Sequence, residues 1–453
     1  MQTRPTLVRQ LLRLALPVAL SQLSDMLTVI ADTIMIGHVG TVPLAAATLA
    51  NSIWVIGFLF ALGFTIAITP LAGAAWGSGS AADTARWAKA GGAVAMFVGA
   101  AVTAILLALT PFLDVFGAEP AVTALAGPYF VWVALSTLPR IAFGVVKQTA
   151  EAMTNTRPAM IAALTANIAN VGLNWVFIYG KLGMPEMGIE GAGLATFLSR
   201  VLMLVLVMAV YLRFDFFRPL RVALRALPGW PARQDLLVAF ETGLPIAGQI
   251  ILEVTAFALG AVMMGWFGAV PQAAHQVAMN LAGLTFMVAL GLGSAATAMI
   301  SNAAGRNDVA SIRAIGKLAF ILVLSYNCCT ALCFFVMRFW LPTLYTQDAA
   351  VIELAALLML YAGIFQIFDG SQTVFLAMLR GVRDVRIPTM FAVVSYAAVN
   401  SPLSYLLAFP FGFGPQGIWM GYVLGLVAAS SLYYLRFRRV SATMSFEEPA
   451  TTL

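Results

Sequence analysis

The sequence predicts an all-α polytopic membrane protein with twelve transmembrane helices, arranged as two six-helix lobes with pseudo-twofold symmetry. Three observations lead to this fold class. Of the 453 residues, 61% are apolar and only 10% are charged, whereas a soluble domain carries about 25% charged residues. The apolar residues form windows of roughly 20, the length that an α-helix needs to cross a bilayer. Finally, the second half of the chain repeats the first. An ordinary soluble domain is thereby excluded.

Charged and Pro/Gly-rich breaks divide the chain into twelve apolar segments. The first of them is longer than the core of a signal peptide and contains Asp25 and Asp32, so we expect a span rather than a cleavable signal. In chain order, the predicted spans are residues 9–36, 44–76, 91–113, 122–146, 159–180, 188–212, 237–267, 273–304, 314–341, 350–379, 387–409 and 415–436.

An internal repeat relates the two halves at a nearly fixed offset. Leu16–Pro17 and Leu244–Pro245 are 228 positions apart, and the same offset aligns Leu62–Gly63 with Leu290–Gly291. An offset of 230 aligns Asn170 with Asn400. Six helices per half, in the same orientation, predict two parallel repeats that can rock against each other and expose a cavity to either side in turn. Transport is therefore the leading functional hypothesis.

The repeat and the positive charges predict the domains and the topology. We expect a first lobe over 1–213, a cytoplasmic linker over 214–236 and a second lobe over 237–453 that ends in a short cytoplasmic tail. Of the 25 Lys and Arg residues, 22 fall on one predicted side, the exceptions being Lys181, Arg338 and the intramembrane Arg200. By the positive-inside rule this places both termini in the cytoplasm, in a multi-pass protein of the cytoplasmic (inner) membrane. The positive charge favours lipid head groups as partners, and not nucleic acid.

Four acidic residues lie inside the apolar segments and are candidates for cation coupling. Asp25 and Asp32 share one face of the first span, and Asp369 lies in the tenth. Glu253, in the seventh span, occupies the repeat-equivalent position of Asp25. Because membrane-buried charges are costly and usually mark ion or proton pathways, we weight function over structure for Asp32, Glu253 and Asp369. Asp25 is a secondary candidate.

Amide side chains form a second polar set. Asn167, Asn170 and Asn174 recur at helical spacing on the fifth span, and Gln276 and Asn280 do so on the eighth. Such amides either contribute to a site or simply join helices by hydrogen bonds.

Other chemistry is poorly supported. The three cysteines, Cys328, Cys329 and Cys333, lie in one apolar stretch and are expected to be buried and reduced. For Arg200 we favour snorkelling or a lipid-phosphate contact over pairing with a buried acid. The sequence shows no Ser/His/Asp, Cys/His or metal-ligand spacing, so we predict neither an enzyme nor a bound cofactor.

Four runs of residues resemble the multidrug and toxic compound extrusion (MATE) family, and the resemblance covers essentially the whole chain. In chain order they are Ala31–Gly37 (ADTIMIG), Gly243–Ile246 (GLPI) leading to Glu253, Ala273–Asn280 (AAHQVAMN), and Asp369 with the following Leu379–Gly381 (LRG).

Within the family the chain resembles the NorM-like branch. That resemblance implies a cation-driven antiporter in which Glu253 and Asp369 form the cation site of the second lobe and are the metal ligands if Na⁺ is the coupling ion. It also implies that Asp32, with Asn170 and Asn174, matches the polar cluster of the first lobe. The branch called DinF-like tends to carry a second acid where this chain has Asn174, and some NorM-like members carry a tyrosine at Phe365. Na⁺ and H⁺ therefore both remain open as coupling ions.

The sequence thus predicts a secondary antiporter that exports organic cationic or amphiphilic compounds and works as a monomer. Three alternatives remain: a lipid-linked oligosaccharide flippase of a related superfamily, an integral-membrane enzyme, and a channel. The flippase would be expected to show a strongly cationic cavity, and the enzyme a catalytic constellation. A channel is disfavoured by the repeat and by Pro17 and Pro245, which can bend the first and seventh helices.

Overall fold

The computed structural model describes residues 4–227 and 229–444, which fold into α-helices without any β-strand in these ranges. The first half contributes α1 (Arg4–Gly37), α2 (Thr41–Ile66), α3 (Ile68–Gly77), α4 (Ala81–Leu109), α5 (Pro120–Leu135), α6 (Thr137–Ala152), α7 (Arg157–Ile178) and α8 (Gly188–Arg213). A short α9 (Arg218–Ala226) follows in the linker. The second half contributes α10 (Arg233–Gly265), α11 (Ala269–Gly305), α12 (Val309–Met337), α13 (Ala349–Gly381), α14 (Arg386–Ala392), α15 (Ser401–Ala408) and α16 (Pro415–Thr443). A π-helical segment, Val393–Asn400, joins α14 to α15.

The predicted fold class is confirmed. Twelve helical stretches among the described residues are long and apolar enough to cross a membrane, and each matches one predicted segment to within about ten residues at either end. α2 with α3, and α5 with α6, form single spans that break at Ala67 and Ser136, whereas the eleventh span contains the π-helical segment. Residues 445–453 of the predicted tail lie outside the described residues.

The chain forms two compact units whose boundaries differ from the predicted lobes. The N-terminal unit runs from Leu20 to Ala247, and the C-terminal unit contains the described residues before Leu20 and those from Gly248 on. α1 and α10 are therefore each divided between the units, two residues after the repeat-equivalent prolines Pro17 and Pro245. The predicted lobes followed chain order, whereas the units follow packing.

Two glycines make this packing possible. A Cβ at Gly63 would lie 2.5 Å from the backbone of Ala247, and a Cβ at Gly291 would lie 2.6 Å from the Ala15 carbonyl oxygen. Both pairs lie within one unit, and the two glycines are the ones that the repeat aligned. Gly63 on α2 therefore allows the first part of α10 to pack with the two backbones in contact. Gly291 on α11 does the same for the first part of α1.

The backbone repeats as the sequence does. α4 and α12 both span 29 residues and begin 228 positions apart, and the spans Pro120–Ala152 and Ala349–Gly381 both have 33 residues and begin 229 positions apart. Each of these two later spans is followed by a residue with positive φ, Thr154 or Arg383. These positions fix the register in which the two halves are compared below.

Two sequence-based interpretations are wrong. The side chains of Cys328, Cys329 and Cys333 are exposed on α12 and not buried, because they lie on a face of this helix that the other described residues leave uncovered. Arg140, which was counted among the basic residues of a cytoplasmic loop, lies twelve residues before the end of its span and is bonded inside the N-terminal unit. Removing it from the count leaves the charge asymmetry in place.

Candidate functional site

The acids of the C-terminal unit come together from α10 and α13. The Gln372 amide, one turn after Asp369, donates a hydrogen bond of 3.0 Å to Glu253 Oε1. Asp369 is buried and lies close enough to Glu253 for the two charges to interact. Its Oδ1 atom is buried and accepts no hydrogen bond from the described residues. Two buried carboxylates that interact in this way favour the binding of a proton or a cation.

Other polar groups surround this pair of acids. The Tyr396 hydroxyl lies beside Glu253 and comes from the π-helical segment, a kind of irregularity that often marks functional sites. Arg380 acts electrostatically on Glu253, but its guanidinium donates a hydrogen bond of 2.9 Å to the Gln249 Oε1 atom. Gln249 in turn donates 2.9 Å to the Thr389 hydroxyl. The pair of acids therefore lies at the edge of a hydrogen-bonded network.

Asp32 lies in a second polar cluster, in the N-terminal unit. Asn174 donates a hydrogen bond of 2.5 Å to Asp32 Oδ1 and one of 3.2 Å to Asn170 Oδ1. Asn170 donates 3.3 Å to the Ser199 hydroxyl on α8. The structure thus joins the three predicted members of this cluster in one chain of hydrogen bonds.

Asp25 forms a separate site, and Asn167 belongs to it and not to the Asp32 cluster. Arg140 Nη2 donates 2.5 Å to Asp25 Oδ2, and Asn167 Nδ2 donates 2.9 Å to Asp25 Oδ1. Asn167 also donates 2.9 Å to the Ser24 hydroxyl. Both carboxylate oxygens of Asp25 are therefore bonded, so this acid is already neutralised by a side chain of the protein.

The remaining predicted residues hydrogen-bond to groups other than the acids. Gln276 donates 3.0 Å to Asn280 on the same face of α11, and Gln276 is exposed. Contrary to the prediction, Arg200 is held inside the N-terminal unit by Ser136 and Trp54, and its charge also interacts with Asp32. Its Nη1 atom donates 2.5 Å to Ser136 Oγ, and its guanidinium lies 4.3 Å from the centre of the Trp54 ring.

Three residues next to the acids were not predicted from the sequence: Gln372, Tyr396 and Arg140. Gln372 follows Asp369 at helical spacing, which could have indicated it. Tyr396 had no such signal, since the π-helical segment that directs it cannot be read from the sequence. Arg140 is the position that the 229 offset aligns with Asp369, so the repeat could have identified it.

The donor set of the C-terminal unit suits an alkali cation or a proton. No group of three or more His, Cys, Asp or Glu side chains in the described ranges could hold a metal ion. Glu253 and Asp369 supply carboxylate oxygens, which are hard ligands, and one of these oxygens is buried without a donor. The unbonded oxygen can coordinate a cation or carry a proton.

Comparison with known proteins identifies the family. The MatE family model matches residues 17–176 and 245–406, once in each half of the chain. The chain belongs to the MATE family. It is accordingly a multi-pass membrane transport protein and not an enzyme.

Individual relatives agree with this membership. The chain is 34% identical to the probable multidrug resistance protein NorM of Mesorhizobium japonicum, over 97% of the chain and 96% of that protein. It is 31% identical to the multidrug resistance protein NorM of Photobacterium profundum, over 95% of each. Among solved structures, an outward-facing multidrug resistance MATE transporter of the MOP superfamily matches 97% of the chain with a TM-score of 0.88 at 19% identity. A eukaryotic MATE transporter matches with a TM-score of 0.87 at 18% identity. These two structures support the MATE fold.

Proposed function

We propose that this MATE protein is a secondary antiporter of the cytoplasmic membrane, which exports organic cationic or amphiphilic compounds in exchange for inward Na⁺ or H⁺. The observation that carries the proposal is the pair Glu253 and Asp369, with the buried and unbonded Oδ1 atom of Asp369. A charge inside a membrane span is expensive and is kept where it serves an ion pathway. The names of the relatives support drugs as the exported compounds.

Cation entry can supply the energy for export. Inward movement of one net charge releases about 2.3 kcal/mol for each 100 mV of membrane potential. At about 1.4 kcal/mol for each factor of ten, this corresponds to a tens-fold concentration ratio of substrate. A single cation per cycle at the pair Glu253 and Asp369 supplies this energy when the exported compound is uncharged. When the compound is a monovalent cation, the exchange is electroneutral and the concentration gradient of the coupling cation drives efflux.

In the proposed cycle, substrate and cation bind alternately. Substrate enters from the cytoplasm, the protein opens outward, and a cation that binds Glu253 and Asp369 promotes substrate release. The return step carries the cation inward. We propose that both termini are cytoplasmic, that the protein works as a monomer, and that it needs no cofactor besides the coupling ion.

The experiment replaces each acid by its amide. We expect Glu253→Gln and Asp369→Asn to lose dye efflux driven by a Na⁺ or pH gradient in liposomes, because an amide can neither balance a cation nor release a proton. The matched control is Glu119→Gln, which changes an exposed acid in a loop in the same way and should keep wild-type efflux. Gradients of Na⁺ and of pH, applied separately, identify the coupling ion.

Two results would overturn the proposal. One is normal cation-driven efflux from either amide variant at wild-type protein levels. The other is movement of lipid-linked oligosaccharide, and not of dye, which would favour the flippase alternative. The names of the relatives favour drug export.

A further inference from the structure

The two pairs Asp25 with Arg140 and Glu253 with Asp369 occupy equivalent positions in the repeat. Asp25 and Glu253 are 228 positions apart on α1 and α10, in the register that also aligns Pro17 with Pro245. Arg140 and Asp369 are 229 positions apart, in two spans of 33 residues whose starts differ by the same 229. The two pairs are therefore repeat-equivalent and represent two chemical forms of one arrangement.

In each unit, polar side chains from equivalent spans surround the acid of α1 or α10, but the hydrogen-bond donors are not at equivalent positions. In the N-terminal unit, Arg140 donates to one oxygen of Asp25 and Asn167 to the other. In the C-terminal unit Gln372 donates to Glu253, and Tyr396 lies beside it. Asn167 and Tyr396 come from equivalent spans, although Tyr396 is one residue out of register in the π-helical segment.

The difference between the two forms is the charge. Asp25 and Arg140 sum to zero, and their side chains are only 24% and 18% exposed, so this site is complete without any ion. Glu253 and Asp369 sum to two negative charges when ionised. Arg380 partly offsets the charge of Glu253, but its hydrogen bond goes to Gln249. Lys147 acts on Asp25 electrostatically and pairs with Glu151 at 3.9 Å.

We propose that Arg140 is a tethered cation. It permanently holds, in the N-terminal unit, the place that the coupling cation takes transiently in the C-terminal unit. An arginine stays protonated at any physiological pH and cannot leave its site. Only one of the two repeat-equivalent sites can then exchange an ion, and Arg140 limits this part of the protein to a single coupling cation. This inference rests on the proposed role of Glu253 and Asp369.

The test counts the cations bound by purified protein, using radioactive Na⁺ in equilibrium dialysis and a pH indicator for released protons. We expect Arg140→Gln to bind one more cation per protein than the wild type, because Asp25 then faces a neutral side chain. Arg140→Lys keeps the positive charge and should bind the wild-type number. Adding Asp25→Asn to Arg140→Gln should remove the extra cation.

A second background separates this inference from the proposed function. In Asp369→Asn, the site of the C-terminal unit is disabled, and adding Arg140→Gln should restore binding of one cation, which Asp25→Asn then removes. If Asp369→Asn alone binds cations and transports as the wild type does, the proposed function fails. If Arg140→Gln is well folded and binds only the wild-type number in both backgrounds, the tethered-cation inference fails.

A neutral pair keeps the test decisive if Arg140→Gln does not fold. The double variant Asp25→Asn with Arg140→Gln leaves no buried charge without a partner. We expect this double variant to retain cation-driven efflux and to bind the wild-type number of cations, because the site of Asp25 and Arg140 exchanges no ion in the wild type. Loss of one bound cation from this variant would show that Asp25 exchanges ions in the wild type and would overturn the inference.

Discussion

At the scale of single residues, equivalent positions of the two units carry different chemistry. Asp32 is aligned by the 228 offset with Gly260, and a Cβ at Gly260 would lie 1.7 Å from the Tyr422 hydroxyl. In the C-terminal unit that hydroxyl, which donates 3.1 Å to the Phe257 carbonyl, fills the space next to α10. The N-terminal unit thus has an acid at the Asp32 position, where the C-terminal unit has a glycine. The pair of acids Glu253 and Asp369 occurs in the C-terminal unit.

The N-caps of α4 and α12 also differ by a single residue type. Ser80 accepts a hydrogen bond of 3.0 Å from the Asp83 backbone N–H, and the repeat-equivalent Asp308 accepts 2.9 Å from the Ser311 N–H. Burial opposes ionisation of Asp308, but the hydrogen bonds from Ser311 and the charge of Arg306 outweigh it. The pKa of the Asp308 carboxyl therefore lies below its ordinary value.

This capping bond gives a prediction on stability. Asp308→Ala should lower the free energy of unfolding by about 1 kcal/mol, the usual loss on removing an N-cap. Because the pKa is lowered in the folded state, the carboxylate stabilises the fold above its unfolded pKa and stops doing so as the pH falls through the folded value. Thermal unfolding in detergent at a series of pH values measures both effects.

The matched control for the cap is Asp308→Ser, which copies Ser80. At neutral pH, this variant should keep most of the free energy of unfolding of the wild type. At acid pH, its free energy of unfolding should fall less than that of the wild type, because serine does not titrate. Equal pH dependence of the wild type and Asp308→Ser would contradict this account.

At the scale of elements, packing depends on the positions where the backbones of two helices can touch. α1 and α10 are each divided between units, and Gly63 and Gly291 provide the space for their first parts. In the N-terminal unit, Phe64 next to Gly63 also packs on Phe240 of α10, with ring centres 5.4 Å apart. A side chain at either glycine would have to displace main-chain atoms.

We therefore expect Gly63→Ala and Gly291→Ala to destabilise the protein by about 1–3 kcal/mol each, as overpacking in a core does. The control is Gly172→Ala on α7, where a Cβ would meet nothing within 4 Å. There the better helix propensity of alanine should leave stability unchanged or raise it by up to about 1 kcal/mol. Melting temperatures of the three purified variants make the comparison, and similar values for all three would refute the role assigned to the two glycines.

At the scale of the whole molecule, the distribution of basic residues predicts how the chain lies in the membrane. With Arg140 assigned to a span interior, the loops on one side and the helix ends that adjoin them still carry most of the Lys and Arg residues. The short loops on the other side are neutral or acidic, and one of them contains the exposed Glu119. The positive-inside rule therefore predicts that the Glu119 loop lies outside and the Arg306 loop in the cytoplasm.

Cysteine labelling tests this orientation. In a background without Cys328, Cys329 and Cys333, a membrane-impermeant maleimide added to intact cells should label Glu119→Cys and leave Arg306→Cys unlabelled. Inverted membrane vesicles should give the reverse pattern, and both variants should react after solubilisation. Labelling of Arg306→Cys in intact cells would place the termini outside the cytoplasm.

Much of this protein could be predicted from its sequence, for a physical reason. The apolar windows determine the twelve spans because lipid accepts only segments whose backbone hydrogen bonds are satisfied internally. The repeat register follows from aligned residues such as Pro17 and Pro245, and the acids Asp32, Glu253 and Asp369 stand out because charge is rare among apolar residues.

Only the tertiary structure decided which polar residues meet and which helices share a unit. The sequence grouped Asn167 with Asn170 and Asn174 and assigned Arg140 to a loop. In the structure both side chains donate hydrogen bonds to Asp25. Both depend on contacts between residues more than 100 positions apart, which spacing along one helix cannot reveal. The divided helices α1 and α10 likewise follow from the close approaches at Gly63 and Gly291. The sequence by itself determined the spans, the repeat and the list of buried charges. Side-chain packing between distant helices decided how those charges are paired.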